Sequence, residues 1–159
     1  MHKITVSFGD INEAVRQIEE YEQKLKQNVD RFLTQLLEYG VDIAKTKIVE
    51  LGAIDGGELM NSISYMLYRE DNRGILFTDC PHACYVEFGT GIVGAKSPHP
   101  TMPWEYDVNG HGEKGWYYYD TEKGRIRFTK GMPSRPFMYE TGAELEHKAV
   151  DIAKEVFRQ

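Results

Sequence analysis

The residues of this chain best suited to chemistry lie in one short segment, residues 80–91, with the sequence CPHACYVEFGTG. Cysteine and histidine occupy alternate positions there, at Cys80, His82 and Cys84. Thiolate and imidazole are preferred ligands of zinc, and residues two apart in an extended strand point to the same side. If the segment is a strand, a histidine from the following loop, His99 or His111, would complete a zinc site.

Other features weaken this metal hypothesis. The chain has no further cysteines, and Pro81 interrupts the strand that a shared face would need. Without a metal, Cys84 is expected to be a small buried apolar residue. The second half of the segment fits no phosphate-binding motif, because the glycines of FGTGIVG lead into Pro98 instead of a helix. A metal-binding module or metal-dependent enzyme therefore stays as the alternative hypothesis.

No hydrolase motif accompanies these residues. The chain has neither a GxSxG nucleophile elbow nor an HExxH zinc-binding helix. We expect no enzymatic activity, no catalytic residue and no bound cofactor. His99 and His111 are expected in an exposed loop, where replacement by Ala changes stability by less than about 0.5 kcal/mol.

Length and charge limit the function classes. The 159 residues are expected to form a single domain over residues 1–159. The formal net charge is −6, whereas nucleic-acid-binding surfaces carry an excess of Lys and Arg. We see no signal peptide and no apolar run of about 20 residues, so we expect folding in a reducing cytoplasm and no membrane partner.

A long helix precedes the cysteine segment. Apolar residues recur at alternating steps of three and four from Ile11 to Ile43, with Glu22 in place of one of them. This pattern predicts some 40 residues of helix, with Gly40 as the position of a break. The helix either bends at Gly40 and folds back on its own domain or projects and packs on another subunit. The contact surface in the second case would consist of Ile18, Leu25, Val29 and Phe32.

The remainder of the chain predicts short strands and a closing helix. Residues 62–79 and 116–129 each predict an antiparallel hairpin, and residues 83–88 predict a third strand or a short helical turn. Residues from Leu145 to Phe157 predict an amphipathic helix. This order indicates an α+β fold, in which the long N-terminal helix and the C-terminal helix pack on one face of a mostly antiparallel sheet.

A long loop insertion, residues 89–115, lies between the two hairpins. It holds too many glycines and prolines for a regular element. Its aromatic residues Trp104 and Tyr106 either close the core or form a partner interface.

Four stretches taken together resemble the gene-ten-like tail-component family of long-tailed double-stranded DNA phages, in the form found in phages and prophages of Gram-positive bacteria. They are GELMNSI, YVEFGTGIVG with SPHP, WEYDVNGHGEKGWYYYD and TKGMPSRPFMYETG. The resemblance covers most of the chain. Its most specific part is YVEFGTG joined to a distal SRPFMY.

The resemblance implies a structural protein for tail completion, or head–tail joining, at the neck of the virion. Such a protein is made in the cytoplasm of the bacterial host and assembles as a homo-oligomeric ring with other neck and tail proteins. DNA passes through the ring without specific binding. The resemblance also implies a two-part structural motif, made of Tyr85, Glu87, Phe88, Gly89 and Gly91 with Arg135, Pro136 and Phe137. We further hypothesise that Glu87 pairs with Arg135.

Overall fold

The computed structural model describes residues 9–54, 56–101, 114–121 and 123–158. The predicted α+β class is confirmed. In chain order the elements are α1 (Gly9–Glu50), α2 (Glu58–Ser62), β1 (Ile63–Tyr68), β2 (Arg73–Thr78), α3 (Ala83–Phe88), α4 (Gly91–Lys96), β3 (Trp116–Asp120), β4 (Arg125–Thr129) and α5 (Phe137–Phe157).

Helix α1 is continuous over 42 residues, so the predicted break at Gly40 is wrong. Gly40 is instead a point of close packing, because a Cβ added there would lie 3.1 Å from Leu145 Cδ1 of α5 and 3.4 Å from Leu76 Cδ2 of β2. The helix ends at Glu50, and the glycine that stops it, Gly52, has φ +63°. The N–H of Gly52 donates to Val49 O and that of Ala53 to Ile48 O, the paired bonds of a Schellman motif.

The first part of α1 projects from the body of the protein. Residues 11–27, which we call the α1 arm, are all exposed. The arm does not fold back, so that alternative is wrong. Its apolar residues lie on one side at the predicted spacing, and we call them the seam: Ile11, Val15, Ile18 and Leu25.

The strands form two separate antiparallel hairpins, not one sheet. In the first, Ile63 pairs with Thr78 and Tyr68 with Arg73. In the second, Trp116 pairs with Thr129 and Asp120 with Arg125. Both hairpins were predicted, and both are confirmed. Helix α1 packs on β1–β2 and on α5, whereas β3 and β4 chiefly contact each other.

The core lies between the second half of α1, the first hairpin and the start of α5. Its buried members are Ala44, Ile48, Ala53, Leu59, Ile63, Cys80, Ala83, Val86 and Phe137. At its edge, Lys47 Nζ lies 3.3 Å from a carboxylate oxygen of Glu50 and 3.4 Å from one of Glu144. The hydrogen bonds that Lys47 donates to Glu50 and to Glu144 raise the pKa of Lys47, although partial burial opposes the shift. This cluster ties α1 to α5.

Two short helices occupy the region after the first hairpin. Residues 83–88 form α3, which decides between the two predicted alternatives. Residues 91–96 form α4, so the prediction of a loop without regular structure is wrong for this part of residues 89–115. The helices within the described ranges include none with the length and apolar character needed to cross a membrane.

Candidate functional site

The cysteine segment is a turn followed by a helix. The N–H of Ala83 donates to Cys80 O at 3.0 Å, and α3 begins after His82. Cys80 is buried and Cys84 is exposed. The predicted common face of Cys80, His82 and Cys84 is therefore wrong, as is the expectation that Cys84 is buried. Pro81 lies in this turn, where no strand hydrogen bond requires the N–H that proline lacks.

Glu58 takes the place beside Cys80 and His82 that was expected for Cys84. Cys80 Sγ lies 3.3 Å from both ring nitrogens of His82, and His82 Nδ1 lies 4.0 Å from Glu58 Oε2. These are zinc-type ligands, and their atoms all lie within 4.8 Å of one another. However, a sulfur equidistant from both nitrogens lies on the lone-pair axis of neither, and Glu58 is exposed. The cluster has the ligand types of a zinc site without its geometry.

Glu87 is a buried carboxylate that caps α5 from another helix. Pro136 precedes α5 and provides no side-chain cap. Instead, Glu87 Oε2 accepts the N–H of Met138 at 2.9 Å and Glu87 Oε1 accepts the N–H of Tyr139 at 3.0 Å. The first N–H groups of a helix have no partner within it, and the positive end of the helix dipole attracts a negative charge. Glu87 satisfies both requirements.

His99 completes this arrangement. Its Nε2 lies 3.2 Å from Glu87 Oε1, and its Nδ1 accepts the N–H of Thr101 at 3.3 Å. Because Nδ1 accepts a hydrogen bond, the ring proton lies on Nε2, and this N–H donates a hydrogen bond to Glu87. The rings of Phe88 and Tyr139 lie 4.9 and 5.4 Å from the imidazole. His99 is 7% exposed, so the expectation of an exposed loop histidine is wrong.

A cavity of about 420 Å³ adjoins the pair, and Cys84 lines it together with Glu87 and His99. Cysteine, histidine and glutamate are the residue types of a nucleophile, a base and an orienting acid. A base needs a free nitrogen to take the thiol proton. Both nitrogens of His99 are already engaged, by Glu87 and by Thr101. The cavity therefore lacks the arrangement of a cysteine hydrolase.

The two parts of the predicted motif lie directly against each other. Thr90 and Met132 exchange backbone hydrogen bonds of 2.9 and 3.2 Å. The N–H of Arg135 donates to Val86 O at 2.8 Å, and the hydroxyl of Ser134 donates to Glu87 O at 2.6 Å. The stretches YVEFGTG and SRPFMY thus form one backbone-paired unit, although they are far apart in the sequence.

Glycines make this close approach sterically feasible. Gly89 has φ +77°, and a Cβ added to it would lie 2.6 Å from Ser134 N. Gly91 has φ +58°, and its added Cβ would lie 2.7 Å from Lys130 O. Residues with a side chain rarely adopt such backbone angles and would also collide with the facing segment. The glycines therefore set the shape of the paired segments.

The other motif residues have mixed outcomes. Phe137 is 0% exposed, which confirms its inward packing, and Phe88 is half-buried. Tyr85 is exposed. The hypothesis that Glu87 pairs with Arg135 is wrong, because the carboxylate is held by His99 and by the N–H groups of α5.

The predicted interface residues divide into three groups. Ile18 and Leu25 are exposed on the α1 arm. Val29 is half-buried, and Phe32 packs on Phe157 of α5 with 6.2 Å between the ring centroids. The third group, Trp104 and Tyr106, lies outside the described residues. The candidate metal ligand His111 lies outside them as well.

Sequence reasoning missed two features of potential functional importance. The first is Glu58 beside Cys80, for which the sequence carries no signal because the two lie more than 20 residues apart. The second is an exposed apolar face on the second hairpin. Here a signal existed, since WYYYD has aromatic residues at odd and even positions and one hairpin cannot bury both of its faces. Comparison of the chain with protein-family models, curated proteins and solved structures gives no significant match.

Proposed function

We propose that this protein is a structural component of a phage virion, acting in tail completion or head–tail joining at the neck. It would act through contacts with copies of itself in a ring and with other neck and tail proteins. DNA would pass through without specific binding, and the protein would have no catalytic residue and no cofactor. The proposal begins from the resemblance of YVEFGTG and SRPFMY to the phage tail-component family.

The observation that carries the proposal is the α1 arm. Its 17 exposed residues extend about 25 Å at the usual helical rise. The seam gives the arm an apolar stripe with a repeat of three and four residues, and such a stripe on one helix favours packing against another protein surface. A protein that acts through assembly needs a surface of this kind.

The Glu87–His99 pair is a second, independent observation that supports a structural role. Both residues are of types that enzymes use, yet their polar atoms are engaged with each other, with α5 and with Thr101. Buried polar groups satisfied in this way stabilise one arrangement of the fold. His99, one of the residues that suggested a metal site, thus has structural contacts.

Particle assembly tests the proposal. In the strain that carries the gene, a variant with Ile18→Asp and Leu25→Asp should accumulate filled heads and separate tails in electron micrographs. The matched control is Gln23→Asp with Gln27→Asp, which adds the same charge to the other side of the arm and should leave particles intact. The unmodified chain should also be present in purified virions by mass spectrometry. Virions without the chain would overturn the proposal.

A metal-binding module is the second candidate function, and the grouping of Glu58, Cys80 and His82 is the observation that favours it. It requires a rotation of the His82 ring to direct a nitrogen lone pair at a shared metal. The two candidates differ in one direct measurement, the zinc content of the purified protein.

A further inference from the structure

The β3–β4 hairpin presents an apolar face that the rest of the described chain does not cover. Tyr117 pairs with Phe128 and Tyr119 with Ile126, so all four side chains lie on one side. Tyr119 is 62% and Ile126 is 69% exposed, and the rings of Tyr117 and Phe128 meet edge to face at 5.1 Å. A two-stranded hairpin is barely stable alone, and a face of this composition is typical of a protein interface.

The charge of the hairpin is opposite to that of the remainder of the chain. Residues 114–130 contain five basic and two acidic residues, a formal charge of +3. Because the whole chain carries −6, everything outside this segment carries −9. Helix α1 alone has nine acidic and six basic residues. The hairpin would therefore be attracted to a surface like that of its own helices.

The α1 arm has the matching chemistry. It is exposed, its seam is apolar, Glu22 lies within the seam and Glu19 beside it, and Glu22 also forms an ion pair of 2.7 Å with Lys26. We propose that the hairpin of one copy docks on the α1 arm of a second copy, an inference that rests on the proposed assembly function. The two surfaces differ, so each copy offers both and every contact is head-to-tail. Contacts of this kind close into rings or continue as filaments.

Nucleic acid fits the hairpin less well than a protein does. Aromatic side chains bind single strands by stacking on unpaired bases, which a DNA duplex does not offer. One arginine of the hairpin is also neutralised internally, with Arg127 Nη1 lying 3.2 Å from Asp120 Oδ2. The combination of four apolar side chains with a modest positive charge favours an apolar and acidic protein surface.

The first test uses the purified full chain. Analytical ultracentrifugation at protein concentrations up to about 1 mM should show mass increasing with concentration, and less so at high salt. Tyr119→Ala with Ile126→Ala should weaken this self-association about tenfold. Truncating exposed side chains weakens the contact between copies but leaves the fold of each copy intact. Tyr118→Ala is the matched control, because Tyr118 lies on the opposite face of the same strand, and it should have little effect. Circular dichroism checks that each variant is folded.

Charge reversal then identifies the contact. A copy with Lys123→Glu and Arg125→Glu should not self-associate, and neither should a copy with Glu19→Lys and Glu22→Lys. Mixed together, the two should associate again, because the reversed hairpin of the first copy meets the reversed arm of the second, and the native hairpin of the second meets the native arm of the first.

Three results would overturn this inference: a chain that stays monomeric over the whole concentration range, variant copies that do not associate when mixed, or a hairpin that binds a single-stranded oligonucleotide in preference to a second copy. None of these results would contradict the proposed function if virions contain the chain, because a different neck protein would then cover the hairpin.

Discussion

Glu87 and His99 meet in the interior of the protein, with 3.2 Å between the carboxylate Oε1 and the imidazole Nε2. The same carboxylate receives two N–H groups from the first turn of α5. One side chain thus joins α3, the segment that follows α4, and α5. Its removal should affect the stability of all three.

Glu87→Ala is expected to lower the free energy of unfolding by about 3–5 kcal/mol, because it leaves a buried histidine and two helix N–H groups without their partner. Glu87→Gln should cost less, since its amide oxygen can still accept one N–H. Urea unfolding followed by circular dichroism measures both.

His99→Ala should also be destabilising, by about 2–3 kcal/mol, because it leaves the Glu87 carboxylate partly unpaired in a buried position. His147→Ala is the control, since His147 is exposed on α5 and its loss should cost less than about 0.5 kcal/mol. Equal stability of the two histidine variants would show that the buried pair contributes nothing to the fold.

Phe137→Ala should destabilise the protein by about 3–5 kcal/mol, because the truncated ring leaves a cavity in the core. Phe128→Ala removes the same ring from the exposed face of the second hairpin and should cost no more than about 1 kcal/mol. Thermal and urea unfolding of the two variants compare the positions directly. A larger loss for Phe128 would mean that the hairpin face is part of the core.

Gly89 and Gly142 should respond in opposite directions to the same substitution. Gly89→Ala places a Cβ at φ +77° and 2.6 Å from Ser134 N, so it should cost more than about 1 kcal/mol and loosen the paired motif. Gly142→Ala adds a Cβ on α5 with nothing within 4 Å and should raise stability by about 0.5–1 kcal/mol. Unfolding midpoints that shift in the same direction for both would contradict the role assigned to Gly89.

Zinc analysis separates the two candidate functions. We expect the dialysed protein to hold much less than one zinc per chain, and cobalt(II) to produce no thiolate charge-transfer band. A band that disappears in Cys80→Ser and persists in Cys84→Ser would instead support the metal-binding module. Cys84 is a suitable control because it is exposed and does not belong to the Glu58–Cys80–His82 cluster.

Local pattern was sufficient to predict the long helix, the C-terminal helix and both hairpins, but not the short helices α2 and α4. The spacing from Ile11 to Ile43 predicted α1, and the β-branched and aromatic runs predicted both hairpins. Gly40 misled because its low helix propensity is outweighed by the packing of Leu145 and Leu76 against it. Helix propensity is local, whereas that packing depends on residues distant in the sequence.

The candidate site depends on such distant contacts even more. The sequence singled out Glu87, His99 and Phe137, but it could not show that Glu87 meets the N–H groups of Met138 and Tyr139 instead of Arg135. Motif spacing likewise suggested a strand for Cys80 to Cys84, whereas the turn at Pro81 directs the two thiols to different surroundings. These outcomes follow from how the chain closes on itself, which no single segment determines.

The continuity of α1 gives the arm a fixed rotational phase relative to the core. Residues such as Ile43 and Ile48 are held inside, and an unbroken helix transmits their orientation to Ile18. Inserting one residue before Leu37 would rotate the seam by about 100° and advance it by about 1.5 Å. Inserting seven would restore its direction to within about 20° and extend its reach by about 10 Å. Helix length thus sets both the distance from the core and the direction at which the seam is presented.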